Sequence, residues 1–156
     1  MIRNTAVTVC GPLNVNKLGV TYVHEHLMVK PQLPDEYYIP YTLDDEAAST
    51  QETRSFSAAG GETLVEMTPI NYGRNVKAYQ RIAQATGVHV ICCTGFHKQL
   101  FMPPWFGDKT DGELYDILMD EVTNGLDDTE IHPGVIKLGT SFEEVTAAEK
   151  RSIEAV

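Results

Sequence analysis

GRNVKAYQRIAQATGVHVICC, residues 73–93, sets two periodicities side by side. Val76, Tyr79, Ile82 and Ala83 recur at the spacing of one helix face, and Gly87 ends the run as a C-terminal cap would. VHVICC follows as an unbroken apolar stretch, the pattern of a strand buried on both faces. A helix that leads directly into such a strand is the repeating unit of a parallel α/β sheet.

The same alternation extends in both directions. Upstream, TLDDEAASTQETRSFSAAGG (42–61) offers Thr42 as an N-cap, acids in the first turn and a glycine pair as a stop, and ETLVEM (62–67) reads as a buried strand. Downstream lies a loop, TGFHKQLFMPPWFGDKT (94–110). DGELYDILMDEVTNG (111–125) then places Leu114, Ile117, Leu118 and Val122 in helical register, and GVIKLG (134–139) is the next strand. SFEEVTAAEKRSIEAV (141–156) begins another helix, with Thr146 and Glu149 spaced as a capping box. At the N-terminus, AVTVCGPLNVNKLGVTYVHEHL (6–27) reads as a small hairpin turning at Gly-Pro, followed by a strand, VTYVH. PQLPDEYYIPY (31–41), with three prolines, reads as a loop. The expectation is an α/β chain folding as one domain over residues 1–156: a hairpin, then four β/α units, which is half of an eight-fold barrel or a small open sheet.

Several functions are disfavoured by composition. The chain of 156 residues has a net charge of −10 and no basic cluster, which argues against a nucleic-acid partner. No stretch reaches the roughly 18 apolar residues that span a bilayer, and no leader pattern opens the chain. The cysteines, Cys10, Cys92 and Cys93, are odd in number and two are adjacent, so a disulfide framework is not expected and a reducing cytoplasm is. No glycine-rich nucleotide fingerprint follows a strand; the glycines of AAGGETLV precede one.

Chemistry concentrates at the C-terminal ends of the expected strands. In TYVHEHL (21–27), strand alternation puts His24 and His26 on one face and Glu25 on the other. Two imidazoles on one face are a natural start for a metal site. Lys137 interrupts the apolar strand GVIKLG. An unpaired buried ammonium is costly, so it is either bridged to a carboxylate such as Glu66 or deprotonated and converted by carbon dioxide to a carbamate that ligates metal. Cys92 and Cys93 read as small core hydrophobes. His97 and Lys98 sit on the loop after a strand, where barrel enzymes place substrate contacts.

Taken together, GVTYVHEHL (19–27), AAGGETLVEMTPINYGRNV (58–76), ATGVHVICCTGFH (85–97) and NGLDDTEIHPGVIKLGTS (124–141) resemble the phosphotriesterase family of the amidohydrolase superfamily. The resemblance covers nearly the entire chain and implies a (β/α)8 barrel of which this chain is the N-terminal half. It further implies a hydrolase with two divalent metal ions, zinc the expected metal, whose hydroxide attacks a lactone or ester carbonyl or a phosphoester. By position, His24 and His26 resemble the first-strand ligands of the more buried metal, and Lys137 the carboxylated lysine that bridges both. The family's other ligands, two histidines and an aspartate that shuttles the proton, come from later strands, and His89, His97 and His132 do not match their positions. His97 and Lys98 would meet the substrate, favouring a phosphorylated sugar lactone. The other reading leaves Lys98 in solvent and makes Phe96, Phe101 and Trp105 a hydrophobic lid. A homo-oligomer, a dimer, is expected, and a non-catalytic half-barrel that self-associates through its open sheet edges is the rival reading.

Overall fold

Each strand of the sheet is short and is positioned by the helix or hairpin before it. In the computed structural model, which describes residues 4–32 and 42–156, the chain runs through a hairpin of β1 (Thr5–Thr8) and β2 (Gly11–Asn14) into β3 (Thr21–Glu25). It continues through α1 (Glu46–Ala58), β4 (Thr63–Glu66), α2 (Val76–Thr86), β5 (His89–Phe96), α3 (Asp111–Asn124), β6 (Val135–Leu138) and α4 (Ala147–Glu154). Strands β3, β4, β5 and β6 pair in that order, all parallel, as a four-stranded half-barrel sheet. Most of the proline-rich loop lies at positions outside the described residues.

The helix expected from residues 76–86 forms as its spacing predicts. Val76, Tyr79, Ile82 and Ala83 are buried against the sheet together with Leu64 and Val90. Asn75 caps the first turn by accepting from the Ala78 amide, and Gly87, at φ 75°, supplies the left-handed conformation that closes the last. At α3 and α4 the threonine caps Thr110 and Thr146 form complete capping boxes with Glu113 and Glu149. α3 buries Leu114 and Leu118 against Phe96.

Two local expectations are corrected. α1 is capped by Asp45, whose carboxylate accepts from the amides of Ala47 and Ala48, and not by Thr42; of the acids read as first-turn residues, Asp45 is the better cap because it stands directly before the helix. The hairpin turns at Val9 and Cys10, with Gly11 and Pro12 already in β2. The turn comes early because Val9 is pulled inward: its amide donates to the Val90 carbonyl at 2.8 Å, and its side chain joins the core. The hairpin thereby closes the N-terminal side of the sheet beneath β5.

One buried ionic network joins the α2 side of the fold to α3. The Arg74 side chain, 4 % exposed, pairs with both oxygens of Glu121, at 3.0 and 2.5 Å, and with Asp127. It also donates to the Cys93 carbonyl, while Thr94 donates its hydroxyl to Glu121. Among the described residues no helix is long and apolar enough to cross a membrane.

Removing Arg74 leaves the Glu121 carboxylate, 13% exposed, without its cation. Arg74→Ala is expected to cost about 3–5 kcal/mol of stability, read as a lowered urea midpoint. A loss under about 1 kcal/mol, the scale of a surface pair, would show that solvent already screens Glu121.

Candidate metal centre

The two edge strands of the sheet, β3 and β6, meet at their C-terminal ends. In a flat sheet they would stand about 14 Å apart, three spacings of roughly 4.8 Å. Instead Lys137 Nζ lies 3.5 Å from His24 Nε2, across 113 positions of chain. The half-barrel curl and the length of the lysine side chain together close that gap. His26, one residue past the end of β3, stands beside His24, ring centroids 5.4 Å apart in an edge-on arrangement.

Glycines let the backbones carrying these groups approach. Gly95 pairs with Lys137 in register, at φ 110°, and a Cβ there would lie 2.1 Å from the Lys137 carbonyl oxygen. A Cβ on Gly139 would lie 2.7 Å from both His97 Nδ1 and the Lys98 amide nitrogen. Glu149, fully buried at the start of α4, accepts from the Gln99 amide at 3.0 Å and from the Ser141 hydroxyl at 2.5 Å. It ties the loop after β5 to the loop after β6, holding His97 and Lys98 over the same end of the sheet as Lys137.

Beneath His26 lies a buried carboxylate. Glu66, at the end of β4, is fully buried and accepts from the amides of Leu27 and Thr68 and from the Thr68 hydroxyl at 2.6 Å. Burial pushes its carboxyl up to about 7, an effect only partly offset by these hydrogen bonds. His26 is shifted the opposite way, down to about 4, first by burial and then by the charges of His24 and Lys137. Burial disfavours charge on both groups, whose atoms His26 Nδ1 and Glu66 Oε1 lie 3.9 Å apart. His24 and Lys137 are also lowered, burial being the leading cause for each. The carboxylate bridge considered for Lys137 is not formed, because the oxygens of Glu66 are turned to Leu27 and Thr68.

The remaining candidates separate clearly. His97 belongs to this end of the sheet: burial followed by the charges of Lys137 and Lys98 lowers it to about 4, and its ring packs on Tyr72 and Phe101 at 4.6 and 4.8 Å. Lys98 holds its ammonium 5.6 Å from the Phe101 ring centre. Of the residues read as a hydrophobic lid, Phe96 is fully buried against Phe106 and α3, and Phe101 is buried with Val29 and Tyr72. Neither is free to act as one. His89 opens β5 at the opposite end, and His132 faces the Val122 carbonyl. Cys92 and Cys93 are fully buried, and burial pushes the Cys92 thiol up to about 12 and Cys93 higher still, as expected of core residues.

The sequence did not point to Thr68 or Tyr72 as parts of this site, and Glu66 was weighed there only as an alternative partner for Lys137. The available signal was a glutamate and a threonine two residues apart at the end of the apolar strand ETLVEM. Among the described residues, no three His, Cys, Asp or Glu side chains converge as a metal site; the cluster is two imidazoles and an amine. That donor set fits a divalent cation in part. Neutral imidazoles are good nitrogen ligands, whereas a lysine becomes a strong one only once its amine carries a carboxyl group.

The phosphotriesterase family model matches residues 4–156. A phospho-furanose lactonase of Mycoplasmopsis synoviae (strain 53) is 31% identical over 170 residues, covering 99% of this chain and 48% of that protein. Among solved structures, a lactonase from Listeria monocytogenes superposes with a TM-score of 0.90 at 29% identity, over 97% of this chain and 52% of its own. The phosphotriesterase homology protein of Escherichia coli, complexed with phosphate in its active site, gives a TM-score of 0.81 at 29% identity, over 89% of this chain and 48% of its own. The chain spans about half the length of the relatives it matches. With its four-stranded parallel half-barrel matched from the hairpin to the last helix, this chain belongs to the phosphotriesterase family.

Proposed function

We propose that residues 1–156 form the N-terminal half of a metal-dependent hydrolase barrel and contribute His24, His26 and Lys137 to a centre for two divalent cations, zinc foremost. The observation that carries this reading is the 3.5 Å approach of Lys137 Nζ to His24 Nε2, from opposite edges of the sheet and with both groups biased toward their uncharged forms. His24 and His26 would hold one cation through ring nitrogens that burial biases toward the unprotonated form. An uncharged Lys137 amine can add carbon dioxide, its nitrogen lone pair forming the C–N bond and a proton passing to solvent. The resulting carbamate is an anion suited to bridging two cations. When bound, the cations supply Lewis acidity toward water and toward the electrophile.

His97 and Lys98 stand where a substrate would approach, one a neutral donor and the other a flexible cation. An ester or lactone bearing a phosphate fits that pairing better than an apolar lactone does, since Phe96 and Phe101 are committed to the core. The names of the M. synoviae and L. monocytogenes relatives, and the phosphate in the E. coli protein, support a lactone or phosphorylated substrate. The three free thiols suit a reducing cytoplasm. A second reading, self-association as a non-catalytic half-barrel, is favoured by the outer edges of β3 and β6, which pair with no further strand among the described residues and where Val23 and Ile136 are 72% and 44% exposed.

Carbamate formation is tested by supplying ¹³C-bicarbonate and zinc to the full chain and recording ¹³C spectra. A carbamate signal is expected in the wild type and its loss in Lys137→Met. A signal that survives the substitution would place the carbamate elsewhere. Elemental analysis after dialysis is expected to give fewer than two zinc ions per chain, since two imidazoles and one carbamate cannot close two coordination spheres. Two tightly held ions per monomeric chain would contradict the half-site.

Protonation also shapes stability. An unfolded histidine titrates near 6.5, so between pH 6.5 and 4 the unfolded chain binds protons that folded His26 and His97 refuse, and stability falls as pH is lowered. Glu66 acts oppositely: between pH 4.5 and 7 the folded chain keeps a proton that the unfolded chain has lost, so stability falls as pH rises. Glu66→Gln removes the second trend. Its urea midpoint is expected to drop more steeply than that of the wild type from pH 6.5 to 4.5, and parallel profiles would show that Glu66 ionises normally in the fold.

A further inference from the structure

We infer that Thr68 is a positioning residue that sets the tautomer of His26, and that the two histidines at this end of the sheet, His26 and His97, hold their protons on opposite ring nitrogens. Thr68 Oγ1 lies 2.6 Å from Glu66 Oε1, 2.8 Å from His26 Nδ1 and 3.1 Å from the Met28 carbonyl, and the Tyr79 hydroxyl also reaches it. A hydroxyl carries one proton. With Glu66 ionised, its carboxylate and the Met28 carbonyl can only accept, so the Thr68 proton goes to one of them, and the shorter contact selects Glu66. Toward His26, Thr68 can then only accept. His26 must donate from Nδ1–H, and its Nε2 keeps a bare lone pair.

His97 is arranged in the opposite sense. Its Nδ1 accepts from the Lys98 amide at 2.7 Å, so the proton of its neutral ring sits on Nε2. Gly139 passes so near that a Cβ there would lie 2.7 Å from Nδ1, so only a glycine leaves this arrangement undisturbed. An imidazole with a bare Nε2 is a metal ligand, whereas one with Nε2–H is a hydrogen-bond donor. His26 and His97 are thus given different work by their neighbours, Thr68 in one case and a backbone amide in the other. The metal-affinity arm below rests on the reading proposed above; the tautomer assignment does not.

The test is a long-range ¹⁵N–¹H correlation spectrum of the imidazoles in the ¹⁵N-labelled full chain, without metal, at pH 8.5, where Glu66 is a carboxylate. Such spectra distinguish Nδ1–H from Nε2–H rings. The wild type is expected to show Nδ1–H at His26 and Nε2–H at His97. Thr68→Val, which keeps the shape and removes the hydroxyl, should move His26 toward Nε2–H and leave His97 unchanged, and Thr68→Ser should restore the wild-type pattern. Zinc binding by calorimetry should weaken about 10- to 100-fold in Thr68→Val and recover in Thr68→Ser. Nε2–H at His26 in the wild type, Nδ1–H at His97, or an unaltered His26 in Thr68→Val would each overturn the inference. Failure of the wild-type chain to bind zinc, with the tautomers as assigned, would overturn the metal reading and uphold this one.

Discussion

The curl of a four-stranded parallel sheet is the constraint on which the rest of this structure depends. Right-handed strand twist, accumulated from β3 to β6, turns the inward side chains at one end toward a common axis. Without it His24 and Lys137 would stand on the far edges of a ribbon and share nothing. The curl in turn needs close backbone contact at that end, and it is there that Gly95 and Gly139 occur. The helices and the hairpin serve the same geometry from outside: α2 and α3 fill the convex face, and the Val9 contact to Val90 closes the N-terminal end.

Much of this was legible in the chain because it rests on local periodicity. The face of α2, the doubly buried β5, the glycine stop at Gly87 and the capping boxes at Thr110 and Thr146 each depend on residues within one or two turns of each other. The two local misses had different origins. Thr42 and Asp45 are both acceptable caps, and only the helix start distinguishes them. Gly-Pro is a turn signal, but a tertiary hydrogen bond from the Val9 amide moved the turn two residues earlier.

The site was legible only in part, and the boundary is physical. His24 and His26 share a face by strand alternation, which the chain displays directly, and Lys137 betrayed itself as a charge in an apolar strand. Glu66 and Thr68 could not be assigned from sequence, because their partners are 39 and 42 positions away and depend on the register of β3 against β4. The same register turned Glu66 away from Lys137, a pairing that composition alone made reasonable. Phe96 and Phe101 show the converse: read in a loop-flanking segment they suggest a lid, and only packing shows that both are core.

The separation of 113 positions between His24 and Lys137 also orders events in time. A chain emerging from the ribosome N-terminus first presents both imidazoles while β5 and β6 are still unmade. The hairpin is complete even earlier, yet Val9 has no carbonyl to bond until Val90 has been synthesised. Contacts of such long range form late, after the entropy of closing large loops has been met. During translation the histidine pair is therefore made well before the lysine that ends beside it, and the cluster of two imidazoles and an amine is assembled only once the last strand of this segment is in place.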